Sequence, residues 1–249
     1  MRALLPFLRL FTTITVVLLA TVQLGFAADF SRVRPERAGM SSERLDRLDT
    51  VLKSYVENEQ LAGQVAMVLR KGRVVFSAAN GWQDKAAGIP MSEDSIFRIA
   101  SQTKALISTG IMILHERGQL DISHPLSRYI PEWENMKVAV SEADGSYRLE
   151  DARRPITIRH LLTHTGGVSY GSGPARDQWQ QAGFQGWYFA DRTEPVLESI
   201  KRMAALPLDQ HPGEEYIYGY NTDILGAVIE VASGKDLNTF MTEELFERL

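Results

Sequence analysis

The first clear pattern of hydrophobic and polar positions covers residues 41–58. Apolar side chains recur there every three or four residues, at Leu45, Leu48, Val51, Leu52 and Tyr55. This spacing is typical of one face of an amphipathic α-helix. Ser41 or Ser42 precedes the pattern, and either hydroxyl can accept a hydrogen bond from a free amide of the first turn. The pattern therefore predicts a helix over residues 41–58.

Extended patterning follows this helix. Residues 64–70 and 73–77 are rich in β-branched and other apolar side chains, and Lys71-Gly72 separates the two runs. Two such runs around a two-residue turn predict a β-hairpin. Residues 96–99 form a third short apolar run, which we expect to be extended as well.

A long helical pattern starts near residue 101. Residues 101–117 carry aliphatic side chains on nearly every side of a helical projection, which predicts a helix buried in the core. Gly118 follows as a stop signal. Residues 119–212 contain seven of the ten prolines and should be rich in loops, whereas residues 222–232 and 237–249 return to helical spacing.

The first 28 residues carry a targeting pattern. Arg2 and Arg9 precede an uncharged stretch from Phe11 to Ala28, which ends in small residues. This arrangement predicts a signal peptide over residues 1–27 and a periplasmic or secreted mature chain. A retained membrane anchor is the alternative, because the apolar stretch could nearly span a bilayer.

Composition narrows the class of protein further. The chain has 249 residues, of which 44% are hydrophobic and 23% charged, as in ordinary globular domains. A net charge of −4 gives no basic surface for nucleic acid, and the lack of cysteine excludes disulfides and thiolate metal sites. No later segment could span a membrane. Because the sequence stops within its last helical pattern, we expect residues 28–249 to be one domain whose C-terminal part is missing.

Ser101 and Lys104 are the candidate reactive pair. Three residues apart on a helix, they share a face, so Lys104 can contact the Ser101 hydroxyl. Burial and the positive end of the helix should both lower the pKa of Lys104, so that it can take the serine proton. The same helix end favours the anion formed when serine attacks a carbonyl. Taken alone, the pair also fits a capping serine followed by a solvated lysine.

Four segments, in order along the chain, resemble the family of serine β-lactamases (class C), penicillin-binding proteins and related esterases. Ile96-Phe-Arg-Ile-Ala-Ser101-Gln-Thr-Lys104 is similar to the family pattern F-R-I-x-S-x-T-K. Residues 118–131, 158–167 and 212–230 resemble its G-x-L-x-L-x-D-P-V, L-L-T-H-T-S-G and P-G-x-x-x-x-Y blocks. The resemblance implies an α+β fold, with an antiparallel sheet flanked by helices and a mostly helical, loop-rich insert.

By this resemblance Tyr218 is the second general acid and base, next to Ser101 and Lys104. A packed aromatic is the alternative, since Tyr216, Tyr218 and Tyr220 alternate like one face of a strand. The chain departs from the family where Gly166 replaces a serine. The third motif of the family, on a later strand, does not occur before Leu249.

Four further residues are candidates for substrate binding. Tyr220 stands where the family has an asparagine that contacts substrate amides, and Asn221 follows one position later. Trp179 and Trp187 lie in the predicted insert and could line an acyl pocket. No metal site or cofactor is expected: His160 and His164 have a zincin-like spacing, but the glutamate of that motif is missing.

These residues predict a serine hydrolase that acts on small esters through an acyl-serine intermediate. The expected partner is a small-molecule ester or amide, and the sequence does not fix the oligomeric state. A β-lactamase or D-Ala-D-Ala carboxypeptidase with the same chemistry is one alternative. A non-catalytic relative that binds peptidoglycan or a peptide is the other.

Overall fold

The computed structural model describes residues 31–190 and 192–249. The predicted signal peptide lies outside the described residues and stays a prediction. The chain divides into two compact units, one ending at Arg98 and the other spanning Ile99–Arg248. Within the described residues, no helix has both the length and the hydropathy needed to cross a bilayer.

The first unit contains the predicted amphipathic helix, α1 (Ser42–Glu57), which packs against a small antiparallel sheet. The Ser41 hydroxyl accepts a hydrogen bond from the Arg44 amide, so Ser41 is the capping residue. A small cluster of buried apolar side chains, formed by Ala38, Leu45 and Val75, lies in this unit.

The sheet of the first unit has the strand order β1 (Gly63–Arg70), β2 (Arg73–Asp84) and β3 (Ile89–Pro90). The predicted hairpin is confirmed, although β2 extends seven residues further than expected. Lys71 and Gly72 both have positive φ, 53° and 70°. Two left-handed residues form the turn whose twist matches that of the paired strands.

The apolar run at residues 96–99, which we expected to be extended, does not form a strand. The third strand is Ile89–Pro90, and no strand of the described residues pairs with residues 96–99. Ile96 is 97% exposed. An apolar run becomes a strand only where a neighbouring strand takes up its backbone hydrogen bonds, and no strand of residues 31–190 and 192–249 does so here.

The second unit consists of helices, loops and a two-stranded antiparallel sheet. Its elements are α2 (Thr103–Glu116), β4 (Lys137–Ser141), β5 (Tyr147–Asp151), α3 (Ile158–Leu162), α4 (Arg176–Gln181), α5 (Val196–Met203), α6 (Asn221–Ser233) and α7 (Leu237–Glu244). The predicted helices are confirmed, while the sheet formed by β4 and β5 was not foreseen. Helices and antiparallel strands occupy separate segments, so the fold class is α+β, as expected.

The core of the second unit forms where α2 packs against α6. Ile107, Ile111 and Leu114 project from one side of α2 and are buried. The expectation that α2 is buried on every side is wrong, because Met112 on another side is 43% exposed. Only the side of α2 that meets neighbouring helices is removed from water, so the aliphatic pattern overstated its burial.

Candidate active site

Ser101 lies at the entry to helix α2. A 3-10 turn at Ala100–Gln102 precedes the helix, and the Ser101 side chain is exposed. Ala100 has φ = 45°, in the left-handed region that residues with a Cβ rarely occupy. Such a conformation costs on the order of 1–3 kcal/mol and is typical of functional sites. The turn therefore presents the Ser101 hydroxyl to solvent directly before the helix begins.

The three predicted catalytic side chains meet at this hydroxyl. The Tyr218 Oη donates a hydrogen bond to Ser101 Oγ over 2.8 Å, and Lys104 Nζ donates to the same oxygen over 3.5 Å. The first distance is that of a good O–H···O bond, whereas the second is at the outer limit. Lys104 Nζ also lies 4.9 Å from the centroid of the Tyr218 ring. Tyr218 is thus better placed than Lys104 to exchange a proton with Ser101.

The electrostatics of the site point the same way. Burial lowers the pKa of Lys104, but hydrogen bonds to Tyr218 and Tyr170 outweigh burial, and the net shift of this pKa is upward. The direction of this shift runs against the expectation of a neutral lysine. The hydrogen bond with Ser101, followed by contact with Lys104, lowers the pKa of Tyr218 below its ordinary value despite some desolvation. A lysine ammonium next to a tyrosine whose pKa is lowered favours Tyr218 over Lys104 as the candidate base.

Tyr170 belongs to the site and was missed by sequence reasoning. Its Oη accepts a hydrogen bond from Lys104 Nζ over 3.3 Å. Its ring meets the Tyr218 ring edge-on, with centroids 5.8 Å apart. Burial raises the pKa of Tyr170, although Lys104 partly offsets this, so its hydroxyl stays neutral and helps to hold the ammonium. Tyr170 follows the segment that resembles H-T-S-G, but nothing in its spacing ties it to Lys104.

Asn221, a predicted substrate contact, is not available to a substrate in this structure. Its side chain is fully buried. The amide nitrogen donates to the carbonyl oxygens of Val168 and Ile217 over 3.0 and 3.1 Å, and it lies 3.2 Å from His164 Nδ1. Because α6 begins at Asn221, this side chain is committed to the joint between that helix and the neighbouring loops.

The structure does not support Tyr220 and Trp179 as substrate contacts either. Both side chains are 1% exposed. The Tyr220 Oη donates to the Gly186 carbonyl over 3.0 Å, and Trp179 Nε1 donates to the Pro207 carbonyl over 3.0 Å. Their rings stack behind Tyr170 as part of the core. By contrast, Trp187 is 70% exposed and stays a candidate contact.

The alternating tyrosines are not a strand, which explains the burial of Tyr220. Residues 216–220 have no strand pairing, and Tyr220 already has φ = −70° and ψ = 9° at the start of α6. This turn directs the Tyr220 side chain inward, while Tyr218 remains 41% exposed. A strand would have placed both side chains on the same face.

The two histidines of the 158–167 segment have separate structural contacts. His160 Nδ1 accepts from the Thr157 amide, and the Thr157 hydroxyl accepts from the His160 amide, a reciprocal cap on α3. His164 contacts Asn221 and the Tyr218 ring. Across residues 31–190 and 192–249, no three His, Cys, Asp or Glu side chains cluster closely enough to hold a metal ion.

Comparison with known proteins identifies the family of the chain. The family model described as Beta-lactamase matches residues 48–249, and the chain belongs to that family. It is 36% identical over 195 residues to "Esterase EstB" from Burkholderia gladioli, covering 77% of this chain and 46% of that protein. It is 30% identical over 225 residues to "ML-236A carboxylate methylbutanoyltransferase mlcH" from Penicillium citrinum, covering 87% of this chain and 52% of that protein.

The fold has counterparts among solved structures. The structure of "EstCE1, a hydrolase with promiscuous acyltransferase activity" matches with a TM-score of 0.69 and 28% identity. The match covers 82% of this chain and 51% of that chain. The chain thus spans about half the length of the relatives that it matches.

Proposed function

We propose that the protein is a serine hydrolase that forms an acyl-enzyme on Ser101 and acts on small carboxylic esters. The observation that carries this proposal is the 2.8 Å contact between Tyr218 Oη and Ser101 Oγ, next to the Lys104 ammonium. Acyl transfer needs a nucleophile, a base with a lowered pKa and a cation that stabilises the ionised base.

The chemistry follows from these three groups. Ionised Tyr218 takes the Ser101 proton as Oγ attacks the ester carbonyl carbon, and Tyr218 then returns the proton to the leaving alkoxide. Water attacks the acyl carbonyl, again giving a proton to Tyr218. The carboxylic acid departs, and Ser101 recovers its hydroxyl proton. Lys104 remains an ammonium throughout and stabilises the Tyr218 phenolate.

Esters are favoured over β-lactams for two reasons. The Asn221 amide is already used by protein carbonyls and His164, so it offers nothing to a substrate amide. One relative is named an esterase and a structural neighbour a hydrolase. Neither sequence-based alternative, a β-lactamase or a non-catalytic binder, receives such support.

Transfer of the acyl group to an alcohol is a second candidate function. The exposed Ser101 leaves the acyl carbonyl open to an acceptor other than water. The name of one relative contains methylbutanoyltransferase, and that of the structural neighbour mentions acyltransferase activity. An alcohol that attacks the acyl-enzyme gives its proton to Tyr218 as water would.

Export is proposed on the sequence alone. The charges at Arg2 and Arg9, the uncharged stretch and the small residues before Asp29 support a cleaved signal over residues 1–27. The mature protein would be periplasmic or secreted. Its N-terminus, measured by intact mass in an exporting host, should be Ala28 or Asp29, and a retained Met1 would favour an anchor.

The nucleophile is tested with a fluorophosphonate probe and p-nitrophenyl butyrate. Wild-type protein should be labelled and should hydrolyse the ester, whereas Ser101→Ala should do neither. Ser146→Ala is the matched control, because Ser146 is exposed and its hydroxyl donates to Asp144 in a surface turn. Labelling that survives Ser101→Ala contradicts the assignment. A kcat/KM for nitrocefin above that for the ester would contradict the substrate class.

A further inference from the structure

His164 is held in an unusual backbone conformation next to the reactive cluster. Its φ is 54°, in the left-handed region that non-glycine residues rarely adopt. The His164 carbonyl accepts a hydrogen bond from the Ile217 amide over 2.7 Å, directly before Tyr218 in the chain. A strained residue tied to the neighbour of a catalytic candidate points to a function beyond capping or packing.

Asn221 fixes the protonation state of the His164 ring. The carbonyl oxygens of Val168 and Ile217 both lie within hydrogen-bond distance of one side-chain atom of Asn221, so that atom must be the amide nitrogen. The same nitrogen lies 3.2 Å from His164 Nδ1. Both hydrogens of this amide group point to the two carbonyls, and its nitrogen has no lone pair to offer, so a proton on Nδ1 would find no acceptor there. The contact therefore favours an unprotonated Nδ1 and a ring proton on Nε2.

The charge state of the ring follows from the same contacts. A proton on Nδ1 would find no acceptor at the Asn221 nitrogen, so the charged ring is disfavoured. Burial, and then the charge of Lys104, lower the pKa of His164 below its ordinary value. The imidazole is thus neutral at pH 7.

The neutral ring packs directly on Tyr218. The two ring centroids are 4.8 Å apart with an interplanar angle of 32°. Tyr216 contacts the same imidazole, with centroids 5.7 Å apart. Tyr218 is 41% exposed, and the other contacts of its ring are the edge of Tyr170 and the Lys104 ammonium. Contact with the imidazole therefore limits the orientations that the Tyr218 phenol can adopt.

Gly166 leaves room for this arrangement. A Cβ at position 166 would lie 2.7 Å from Asn221 Oδ1 and 3.2 Å from Leu161 Cδ2. The Asn221 nitrogen is bonded to the Val168 and Ile217 carbonyls, so the amide could not turn away from a side chain at position 166 without losing those bonds. The glycine that departs from the H-T-S-G pattern is therefore matched to the orientation of Asn221.

We infer that His164 is a positioning residue for Tyr218. Its imidazole, oriented by Asn221, keeps the Tyr218 phenol in line with Ser101 Oγ for proton transfer. This role rests on the proposed function. It assigns to His164 an effect on the rate of acylation rather than on substrate binding, because the ring touches Tyr218 and not the reacting atoms.

The test compares His164→Asn with His160→Asn. Asparagine tolerates the left-handed backbone and offers Asn221 an oxygen acceptor, but it lacks the ring. His164→Asn should lower the rate of Ser101 acylation by p-nitrophenyl butyrate about 10- to 100-fold, the cost of a small misplacement of a catalytic group. KM should stay within about twofold. His160→Asn should leave the acylation rate unchanged, since His160 contacts Thr157 instead.

The outcomes separate this inference from the proposed function. Wild-type protein that is not acylated at Ser101 overturns both. Normal acylation of His164→Asn, or a fall in rate matched by a rise in KM, overturns the inference alone. Nitrogen NMR of histidine-labelled wild-type protein gives a readout that needs no variant to fold. A neutral His164 with its proton on Nε2 at pH 7 supports the inference, and a proton on Nδ1 overturns it.

Discussion

Tyr218 and Tyr220, two residues apart, lie in opposite environments. Tyr218 is 41% exposed, its hydroxyl contacts Ser101, and that contact lowers its pKa. Tyr220 is 1% exposed, its hydroxyl is bonded to the Gly186 carbonyl, and burial raises its pKa. The same side chain is thus a reactive group in one region and a core residue in the next. The comparison shows that surroundings, more than residue type, decide which tyrosine can exchange a proton.

The backbone between the two tyrosines creates this difference. At Gly219 the backbone passes so close to Ser169 that an added Cβ would lie 2.3 Å from the Ser169 carbonyl carbon. Only glycine, which has no Cβ, fits at this position. Directly afterwards the chain turns into α6 at Asn221. One tyrosine therefore faces Ser101, and the other enters the core.

The largest effect is expected from removal of the Tyr218 hydroxyl. Tyr218→Phe should slow acylation of Ser101 by about 10²–10⁴-fold, the usual contribution of a general base. Tyr220→Phe is the matched control and should acylate at close to the wild-type rate, because its hydroxyl bonds to Gly186. Stopped-flow measurement of the p-nitrophenol burst compares the two. Equal rates for Tyr218→Phe and wild type would contradict the assignment of the base.

Tyr220→Asn tests the buried side of the comparison. Replacing this core ring with a smaller polar side chain should lower the free energy of unfolding by about 3–5 kcal/mol, as for other large-to-small core changes. It should bring no gain in nitrocefin hydrolysis, because position 220 faces the interior. Urea denaturation and a nitrocefin assay measure the two effects. A stable variant with new β-lactamase activity would show that Tyr220 faces the substrate.

Lys104→Met sharpens the comparison, because it should bring the pKa of Tyr218 closer to that of an ordinary tyrosine. Lys104 helps to lower the pKa of Tyr218, so its loss should raise that pKa. Acylation needs the ionised phenol and therefore rises with pH through the pKa of Tyr218. The midpoint should move to higher pH, and the rate near pH 7 should fall about tenfold for each pKa unit gained. The pH profile of the burst rate measures this. Lys137→Met is the control variant. If the midpoint of the pH profile of Lys104→Met stays at the wild-type pH, the expected role of Lys104 is contradicted.

The last prediction concerns Asp223, whose charge raises the pKa of both Tyr170 and Tyr220. Burial raises the pKa of Asp223 from 3.8 to about 6. A carboxyl group whose pKa is higher in the folded than in the unfolded state stabilises the fold below its unfolded-state pKa. For Asp223 this contribution is lost as the pH rises through about 6. Asp223→Asn should therefore be more stable than wild type at pH 7.5, by up to about 3 kcal/mol, with little difference at pH 4.

Urea denaturation at pH 4 and pH 7.5 measures this difference, and a surface acid provides the control. Hydrogen bonds from Ser146 lower the pKa of Asp144, so Asp144→Asn should change stability at pH 7.5 in the opposite direction. If Asp223→Asn is less stable than wild type at pH 7.5, the prediction is contradicted. Favourable interactions of the ionised Asp223 carboxylate would then outweigh the cost of its burial.

Local rules account for the parts of the site that the sequence could predict. The three-residue spacing of Ser101 and Lys104 on a helix turn brings their side chains together, and Lys71-Gly72 supports the tight turn of the hairpin. Tyr218 was identified by resemblance, and the structure places it against Ser101. These features depend on neighbours in the chain or on a recognised motif.

The remaining features depend on contacts between distant segments. Tyr170 reaches Lys104 across 66 positions in sequence, and no local pattern records that contact. The inward turn of Tyr220 depends on where α6 starts and on the stacked ring of Trp179. The upward pKa shift of Lys104 depends on two tyrosine hydroxyls that the helix pattern cannot show.

The close packing of α2 on α6 gives the core a share in setting the reaction geometry. Ser101 lies just before the first residue of α2, and Tyr218 just before the first residue of α6. At Gly110, midway along α2, a Cβ would lie 2.9 Å from Ile229 Cδ1 of α6. A methyl group added there would meet the ends of the Ile229 and Met241 side chains, which would have to shift within the core. The volume available at Gly110 is thus linked, through the packing of α2 on α6, to the segments that carry Ser101 and Tyr218.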